Sequence, residues 1–306
     1  MIRRILVIKL GALGDFVQAM GPAAAIRRHH PDAEITLLTT LPFAELARAA
    51  PYFDRVWIDA RPGFGHPLEL ARLRRRLRGG GFDRVYDLQT SDRSSFYFHL
   101  MGPGRRPEWS GIARGASHLH GHPARDFMHT LDRQADQLRD AGINDVAPPD
   151  LVWAQTDVAR FDLPSRLLLL VPGGAQHRPR KRWPLARYAA LAGLAAAAGV
   201  VPVVVGGGGE AALGRAIREA APATLDLTGK TAFGDVVALG TRALHAVGND
   251  TGPMHLIVAG GASATILYSD ASDPALTAPR GRVTILRRSS LEDLTVAEVA
   301  ATLPFG

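Results

Sequence analysis

The stretch Ile5-Leu-Val-Ile-Lys-Leu-Gly-Ala-Leu-Gly-Asp15 joins a short, nearly continuous apolar run to a turn that contains two glycines. An apolar run of this length that ends at glycine is typical of a buried strand. Over residues 16–28 the apolar side chains recur at helical spacing. The stretch therefore predicts a strand, a tight turn and a helix, which is the repeating unit of an α/β fold.

The same alternation continues towards the carboxyl terminus. It predicts strands at 35–39, 55–58 and 84–88, and helices at 42–49 and 68–77. Alternation at this pace indicates parallel strands that are joined by helices. Residues 144–164 are then polar and rich in proline, as an interdomain linker often is.

The pattern restarts at residue 167, where five apolar residues precede Pro172, Gly173 and Gly174. It predicts strands at 167–171, 201–205, 225–227, 246–248, 264–268 and 283–286, and helices at 184–198, 210–220, 233–244, 253–259 and 296–303. We therefore predict two Rossmann-like lobes in tandem, residues 1–150 and 166–290, with a linker at 151–165. By analogy, the helix in the last segment, 291–306, is expected to pack back on the first lobe.

Composition narrows the class of protein. The net charge of +7 predicts an anionic partner, although nucleic acid, an anionic membrane face and a phosphorylated small molecule all meet that condition. Residues 72–78 predict an amphipathic helix with a cationic face, which is most often simply solvated. The chain has no cysteine, which excludes disulfides and thiolate metal sites. Short apolar runs and a start unlike a signal peptide predict a soluble, cytoplasmic protein.

Several common motifs are absent. The spacing from Gly11 to Gly14 does not fit a dinucleotide fingerprint, and Gly229-Lys-Thr lacks the first glycine of a phosphate loop. Neither H-E-x-x-H nor G-x-S-x-G occurs, which argues against a zinc protease and the commonest hydrolases. His118, His120 and His122 alternate in a segment that we predict to be an exposed loop, able to contact an acceptor, rather than a metal site.

Conspicuous polar residues follow the predicted strands at their carboxyl ends, where open parallel sheets bind ligands. They are Asp15, Gly173 and Gly174 with Lys181, residues 206–210, and Asp250-Thr-Gly252. Taken singly, Asp15 and Asp250 are equally well explained as helix caps. Lys181 lies in a cationic run between two prolines, beside the glycine pair, and this favours a diphosphate contact over a solvated surface.

Together, four separated motifs resemble glycosyltransferase family 9, which contains the ADP-heptose:lipopolysaccharide heptosyltransferases. They are residues 5–15, Pro172-Gly-Gly-Ala175 with Lys181-Arg-Trp-Pro184, Asn249-Asp-Thr-Gly-Pro-Met-His255, and Ser272-Asp-Pro274. The resemblance implies a GT-B fold, in which two Rossmann-like lobes face a central cleft. It also implies inverting, metal-independent transfer of a heptose from ADP-heptose to a lipopolysaccharide core acceptor of Kdo or heptose.

The resemblance further implies roles for individual residues. Asp15 is the expected general base, and Lys181 is expected to stabilise the leaving diphosphate. The implied donor-binding set is Gly14, Gly174, Ala175, Gln176, Lys181, Glu210, Asp250, Thr251, Gly252 and His255. The expected acceptor contacts are Arg93, Arg105, Arg106, Arg114 and His120. No metal site and no cofactor other than the nucleotide sugar is expected.

Departures from the family pattern leave alternatives open. Ser269 stands where the family more often has glycine, and the turn at 172–175 is one residue longer than usual. Another donor such as a UDP-hexosamine, another acceptor, or a sugar-nucleotide-binding protein without turnover would each fit. We expect a monomer in peripheral contact with an anionic membrane face. Nucleic acid is not expected as a partner, because the aromatics of a stacking platform are lacking.

Overall fold

The computed structural model describes residues 2–63, 65–102, 104, 106–174 and 178–305. The chain divides into two compact units, Met1–Pro149 and Asp150–Gly306. Each unit holds one six-stranded sheet in which every pair of neighbouring strands is parallel. The predicted tandem of two parallel-sheet lobes is therefore confirmed.

The first unit alternates strands and helices along its whole length. Its strands are β1 (Arg4–Ile8), β2 (Glu34–Thr39), β3 (Arg55–Ile58), β4 (Arg84–Asp87), β5 (Glu108–Gly111) and β6 (His118–Leu119). Its α-helices are α1 (Leu13–Gln18), α2 (Met20–His29), α3 (Ala44–Ala49), α4 (Pro67–Gly79), α5 (Asp92–Leu100) and α6 (Thr130–Asp140).

The sheet of the first unit has the order β3-β2-β1-β4-β5-β6. This is the doubly wound order, whose switch point lies between β1 and β4. Ile8 at the end of β1 pairs with Leu38 and with Asp87. One face of the sheet buries Leu6 and Leu38 with aromatic rings of Tyr97 and Trp109. The carboxyl ends of β1 and β4 are thereby fixed side by side in the middle of the sheet.

The predicted helix over residues 16–28 is in fact two helices, α1 and α2, which meet at Ala19. Pro22 explains the break, because it has no N–H to donate to the carbonyl oxygen of Gln18 four residues earlier. The turn before α1 depends on Gly11, whose φ of +127° is disfavoured for residues with a side chain.

The second unit repeats the architecture. Its strands are β7 (Leu167–Val171), β8 (Val201–Val204), β9 (Leu225–Asp226), β10 (His245–Asn249), β11 (Ala264–Tyr268) and β12 (Val283–Arg287). Its α-helices are α7 (Leu185–Ala197), α8 (Ala211–Ala220), α9 (Phe233–Arg242), α10 (Gly252–Ala259), α11 (Pro274–Thr277) and α12 (Val296–Ala300). The order β12-β11-β10-β7-β8-β9 is again doubly wound, with its switch point between β7 and β10.

The segments assigned to a linker and a final helix lie in the second unit. Thr156 and Arg160 both donate hydrogen bonds to the carboxylate of Asp235 on α9. At the other end, Val299 and Leu303 are buried in the core that α7 forms with its sheet. The boundary between the units, Pro149–Asp150, lies just before the predicted linker at 151–165, so that segment is part of the second unit. Helix α12 packs in the core of the second unit.

None of the helices in the described part of the chain is long and apolar enough to cross a lipid bilayer. In α4, the longest helix of the first unit, only Leu73 and Leu77 are buried. The other side chains of α4 include five arginines, so this helix has a cationic outer face as the sequence predicts.

Candidate functional site

The carboxyl edge of the second sheet gathers the residues that the sequence singled out. Because β10, β7 and β8 are adjacent and parallel, the loops that follow them emerge next to one another. The loop after β7 contains Gly173, Gly174 and a short 3-10 turn, Pro179–Lys181. The loop after β8 leads to Glu210, and Asp250 follows β10 directly. Parallel pairing thus brings Lys181 and Asp250, which are 69 positions apart in sequence, into one place.

Lys181 and Asp250 form an ion pair at this edge. The Lys181 Nζ donates to Asp250 Oδ2 across 2.5 Å, and the two side chains are only 12% and 9% exposed. A largely desolvated ammonium is a strong binder of diphosphate oxygens, since the low local dielectric strengthens the attraction. Two of the residues that the sequence singled out, Lys181 and Asp250, are therefore in direct contact.

Glu210 holds the glycine turns in place. Its Oε1 accepts from the Gly174 N–H at 2.9 Å and its Oε2 from the Gly207 N–H at 2.8 Å. A Cβ on Gly173 would lie 1.7 Å from Glu210 Oε1, so only glycine leaves room for this carboxylate. The carboxylate therefore braces the two loops in this structure, a role that the sequence did not indicate.

Asp250 is not the cap of the helix that follows it. The N-cap of α10 is Thr251, and within the described residues no side chain caps this helix. Pro253 has no N–H and the Met254 N–H donates to the Thr251 carbonyl at 3.1 Å, so this end attracts an anion mainly through the favourable end of the helix dipole. Thr251 and Gly252 are half-buried at this end, whereas His255, one turn further on, is 5% exposed.

Tyr268, at the end of β11, lies next to Asp250. Its side chain is fully buried. Burial raises the pKa of Tyr268, and the negative charge of Asp250 raises it further. The phenol is therefore a neutral hydroxyl beside the Asp250 carboxylate, in the segment where the sequence departs from the family pattern.

In the first unit, Asp15 lies in the first turn of α1, beyond the end of β1. Ala12 is the N-cap of this helix and no side-chain cap bond is formed, so the helix-cap explanation of Asp15 is wrong. The Asp15 carboxylate is half-buried. Burial lowers the pKa of the Lys9 ammonium and of the Arg133 guanidinium, and the negative charge of Asp15 partly opposes both shifts. Gly14 is the residue before it and is also half-buried.

Asp87 and Lys9 add a buried pair of charges beside Asp15. Lys9 is 4% exposed, and its Nζ donates to the Leu88 carbonyl at 3.1 Å. Burial raises the pKa of Asp87 to about 6, although N–H donors from Thr90 and Gln89 and the Lys9 charge oppose the shift. The switch point of the first sheet is therefore polar, as expected of a site rather than of a core.

The four predicted acceptor contacts that the structure describes do not converge. Arg93 and Arg114 follow β4 and β5 and lie at the carboxyl edge, whereas Arg106 precedes β5 and lies at the opposite edge. Arg93 donates to the Pro62 carbonyl and, with Phe96 and Leu70, lines a cavity of about 260 Å³. Arg106 instead stacks on Phe98, with its guanidinium 4.9 Å from the ring centroid.

His120 corrects the prediction of an exposed loop. It is 2% exposed and its Nε2 lies 3.0 Å from Asp136 Oδ2 on α6. Its backbone N–H donates to the Gly111 carbonyl next to β6, so the segment is the edge of the sheet. A side chain buried in this way is unavailable to an acceptor. His118, in contrast, is half-buried within β6, and His122 is exposed.

Three predicted residues, Ala175, Gln176 and Arg105, lie outside the described residues. Among those that are described, no three His, Asp or Glu side chains are placed to hold a metal ion together.

Sequence reasoning missed Lys9, Arg133 and Asn249. Lys9 carried a signal, because it is the one charged residue in an otherwise apolar run. No sequence pattern marked Arg133, because the sequence does not predict the helix α6 on which it lies. Asn249 stands in one of the family motifs but no role was predicted for it, yet it is fully buried and hydrogen-bonded to both ends of the loop after β7.

Known proteins resemble the chain over nearly its whole length. Lipopolysaccharide heptosyltransferase 2 of Escherichia coli (strain K12) is 27% identical over an alignment of 306 positions, and this alignment covers 90% of this chain and 85% of that protein. A glycosyltransferase family 9 structure from Veillonella parvula DSM 2008 superposes with a TM-score of 0.84 at 20% identity, over 98% of this chain and 95% of that one. The E. coli ADP-heptose lps heptosyltransferase II gives a TM-score of 0.80 at 24% identity, over 97% and 96%.

These superpositions show that the fold is GT-B, as the resemblance implied. The family model described as glycosyltransferase family 9 (heptosyltransferase) matches residues 70–296, well over half of the chain. This match includes the Lys181–Asp250 pair and the glycine turns. The chain therefore belongs to glycosyltransferase family 9 and is a glycosyltransferase.

Proposed function

We propose that this glycosyltransferase moves a heptose from ADP-heptose to a lipopolysaccharide core acceptor, with inversion at the anomeric carbon and without a metal ion. The names of the relatives support the heptose donor, since they are lipopolysaccharide heptosyltransferases and one is named for ADP-heptose. The observation that carries the donor site is the Lys181–Asp250 pair between glycine turns.

Lys181 supports the part of this proposal that concerns the leaving diphosphate. As the bond from the anomeric carbon to the phosphate oxygen breaks, negative charge accumulates on the leaving diphosphate. The Lys181 ammonium and the uncapped N-terminus of α10 would stabilise that charge electrostatically. Asp250 holds Lys181 in position until the donor arrives. Asp250, Thr251 and Gly252 would then contact the donor sugar and phosphates.

Asp15 supports the part of the proposal that concerns deprotonation of the acceptor hydroxyl. Within the described part of the chain, no donor binds its carboxylate, so its lone pairs are free to accept a proton. In the proposed reaction the acceptor hydroxyl oxygen bonds to the anomeric carbon while the bond to the phosphate oxygen breaks. The hydroxyl proton passes to Asp15, and ADP leaves. A single displacement of this kind inverts the anomeric configuration.

Arg93 and Arg114 are the predicted acceptor contacts that we retain. Both lie at the same sheet edge as Asp15, and an arginine suits the phosphate or carboxylate groups of a Kdo-containing acceptor. The cationic face of α4 supports peripheral contact with an anionic membrane, where a lipid-linked acceptor resides.

The donor site is tested by the change in melting temperature on adding ADP, UDP or GDP. A ligand that binds the folded chain raises that temperature by mass action, and we expect the largest rise with ADP. Lys181→Met should weaken ADP binding about 10- to 100-fold, as expected for loss of a charged hydrogen bond. Arg180→Gln is the matched control, because Arg180 is exposed in the same 3-10 turn.

The reaction is tested by incubating the enzyme with ADP-heptose and a Kdo-containing acceptor, with and without EDTA. We expect a heptosylated product of inverted anomeric configuration at equal rates in both samples. A rise in melting temperature with UDP alone would replace the heptose donor by a UDP-sugar. A rate that EDTA abolishes and magnesium restores would contradict the metal-free step.

A further inference from the structure

Asn249 is the last residue of β10 and its side chain is fully buried. Its Oδ1 accepts from the Trp183 backbone N–H at 3.0 Å and from the Tyr188 hydroxyl at 3.1 Å. Its Nδ2 donates to the carbonyls of Pro172 and Gly173 at 2.9 and 3.0 Å. The carboxamide thus uses both its donor hydrogens and both its acceptor lone pairs.

The four partners of this carboxamide lie on two different segments. Pro172 and Gly173 begin the glycine turn after β7, while Trp183 follows Lys181 by two residues and Tyr188 lies on α7. Asp250 is the next residue along the chain. One side chain therefore ties together the segments that carry the Gly173–Gly174 turn, the Lys181 ammonium and the Asp250 carboxylate.

The orientation of the carboxamide is fixed by its partners. Two carbonyl oxygens can only accept, so they require the NH₂ end, and the Trp183 N–H can only donate, so it requires the oxygen. Aspartate has the same shape but cannot donate, and alanine makes none of the four bonds. Asparagine is thus the side chain whose size and donor pattern both match this junction.

We propose that Asn249 is a positioning residue for the donor site. It sets the distance between the glycine turn, Lys181 and Asp250, and a nucleoside diphosphate needs all three at once. Lys181 and Asp250 are 69 positions apart in sequence, yet their side chains approach to 2.5 Å. Asn249 is the buried residue that links the loop carrying Lys181 to the strand end that precedes Asp250. The proposal rests on the proposed function in that it takes this edge of the second sheet to bind the donor diphosphate.

The test measures the dissociation constant of ADP by titration calorimetry for wild type, Asn249→Asp and Asn249→Ala, at a temperature where circular dichroism shows each variant to be folded. We expect ADP to bind at least tenfold more weakly to both variants. In the transfer reaction the donor KM should rise, whereas the acceptor KM should stay within twofold of wild type. A loss of stability alone would not produce this split.

Gln137→Glu provides the matched control. Gln137 is also a fully buried carboxamide, and its Nε2 donates to the Asp87 and Ser110 carbonyls, but in the first unit. Its replacement should lower the melting temperature as Asn249→Asp does, since a buried carboxylate then faces two carbonyl oxygens. ADP affinity should remain within twofold of wild type.

Tyr188→Phe is the mild variant, because it removes one of the two donors to Asn249 Oδ1 and, besides that, only a longer contact of 3.3 Å with the Val171 carbonyl. We expect ADP binding to weaken two- to fivefold. The proposal is overturned if the folded Asn249 variants bind ADP within twofold of wild type. If both of them fail to fold, unchanged ADP affinity in Tyr188→Phe overturns it instead.

Failure of this proposal and failure of the proposed function give different results. If wild type binds none of ADP, UDP and GDP, the second unit is not a nucleotide site and the proposal falls with the function. If wild type binds ADP and the variants bind it equally well, only the role of Asn249 is wrong.

Discussion

Asp15 differs from the other acidic residues at its sheet edge in how its carboxylate is used. Asp59 accepts hydrogen bonds from Tyr97 and Arg61, and Asp87 accepts from two backbone N–H groups. Asp15 is half-buried, is bound by no donor among the described residues, and faces two cationic side chains. A general base needs this kind of free lone pair within reach of solvent and substrate.

Asp15→Asn should therefore lower kcat by about 100- to 10,000-fold, the usual contribution of a positioned base. The ADP dissociation constant should change less than twofold, because Asp15 lies in the first unit. Steady-state kinetics and calorimetry check the two expectations. Asp32→Asn, in an exposed turn at the opposite sheet edge, should leave kcat unchanged. Equal loss of ADP binding and kcat in Asp15→Asn would argue for a structural role.

Asp87 makes stability depend on pH. Its pKa is about 6 in the folded chain against an ordinary value of 3.8, so between these values the folded state binds more protons than the unfolded state. The free energy of unfolding contributed by this carboxyl therefore falls as pH rises through the window, by up to about 3 kcal/mol.

Asp87→Asn keeps the acceptor oxygen but cannot ionise. Its free energy of unfolding, compared with wild type, should increase by up to about 3 kcal/mol between pH 4 and pH 7. Urea denaturation at several pH values measures this difference. Burial lowers the pKa of His30 to about 4, but His30 is present in both proteins and cancels. A difference that does not vary with pH would mean that Asp87 titrates normally.

At the scale of elements, the turn after β7 depends on glycine. A methyl group on Gly173 would lie 1.7 Å from Glu210 Oε1 and 2.2 Å from its Cδ. The carboxylate is held by two backbone N–H groups and cannot move away without losing them. Gly173→Ala should thus destabilise the chain by about 1.5–3 kcal/mol and weaken ADP binding.

Gly193→Ala, in the middle of α7, is the companion substitution. Apart from the backbone of α7 itself and the adjoining residues, no atom lies within 4 Å of its added Cβ, so it should stabilise the helix by about 0.5–1 kcal/mol and leave ADP affinity unchanged. Thermal unfolding with and without ADP measures both variants. If Gly173→Ala leaves the melting temperature unchanged or raises it, the turn does not need glycine.

Most of the elements could be predicted from the sequence because their apolar residues follow a simple period. Strands 55–58, 167–171 and 264–268 match the structure residue for residue. Helix α6 was not predicted, and its buried face explains why. That face contains Thr130, Gln134 and Gln137 besides Leu131 and Leu138, so it shows no hydrophobic period.

The candidate site was predictable only where its residues lie at the end of a strand. Lys181 and Asp250 were found because strand ends and glycine turns mark them. The hydrogen bonds of Asn249 join residues 61 to 77 positions apart, and no local pattern encodes such contacts. The exposure of His120 was misjudged for the same reason, because Asp136 is 16 residues away on a helix that was not predicted.

At the scale of the whole molecule, a net charge of +7 and the arginines of α4 favour binding to anionic membranes. Arg74 and Arg78 donate to the Gly102 carbonyl and Arg76 stacks on Trp57. Arg72 and Arg75 are exposed and make no such contact with any described residue. They are the arginines of α4 best placed to meet lipid phosphates.

Replacing Arg72 and Arg75 by Gln should weaken binding to vesicles that contain phosphatidylglycerol by about 2 kcal/mol, about 30-fold. Co-sedimentation at several salt concentrations measures this, and wild-type binding should decline as salt rises. Replacing Arg215 and Arg218 on α8 by Gln removes the same charge from another surface and should have a smaller effect. Equal effects of the two pairs would indicate attraction by net charge alone.

The repeated strand order has a consequence for how such a chain changes over generations. Each unit has its own sheet and its own buried core, so the residues that pack one core are different from those that pack the other. Under the proposed function, natural selection can alter the unit that carries Asp15, and with it the preferred sugar acceptor, while the unit proposed to bind the nucleotide is inherited unchanged. Descendants of one ancestral enzyme can in this way diversify a cell-surface glycan without reinventing the supply of activated sugar.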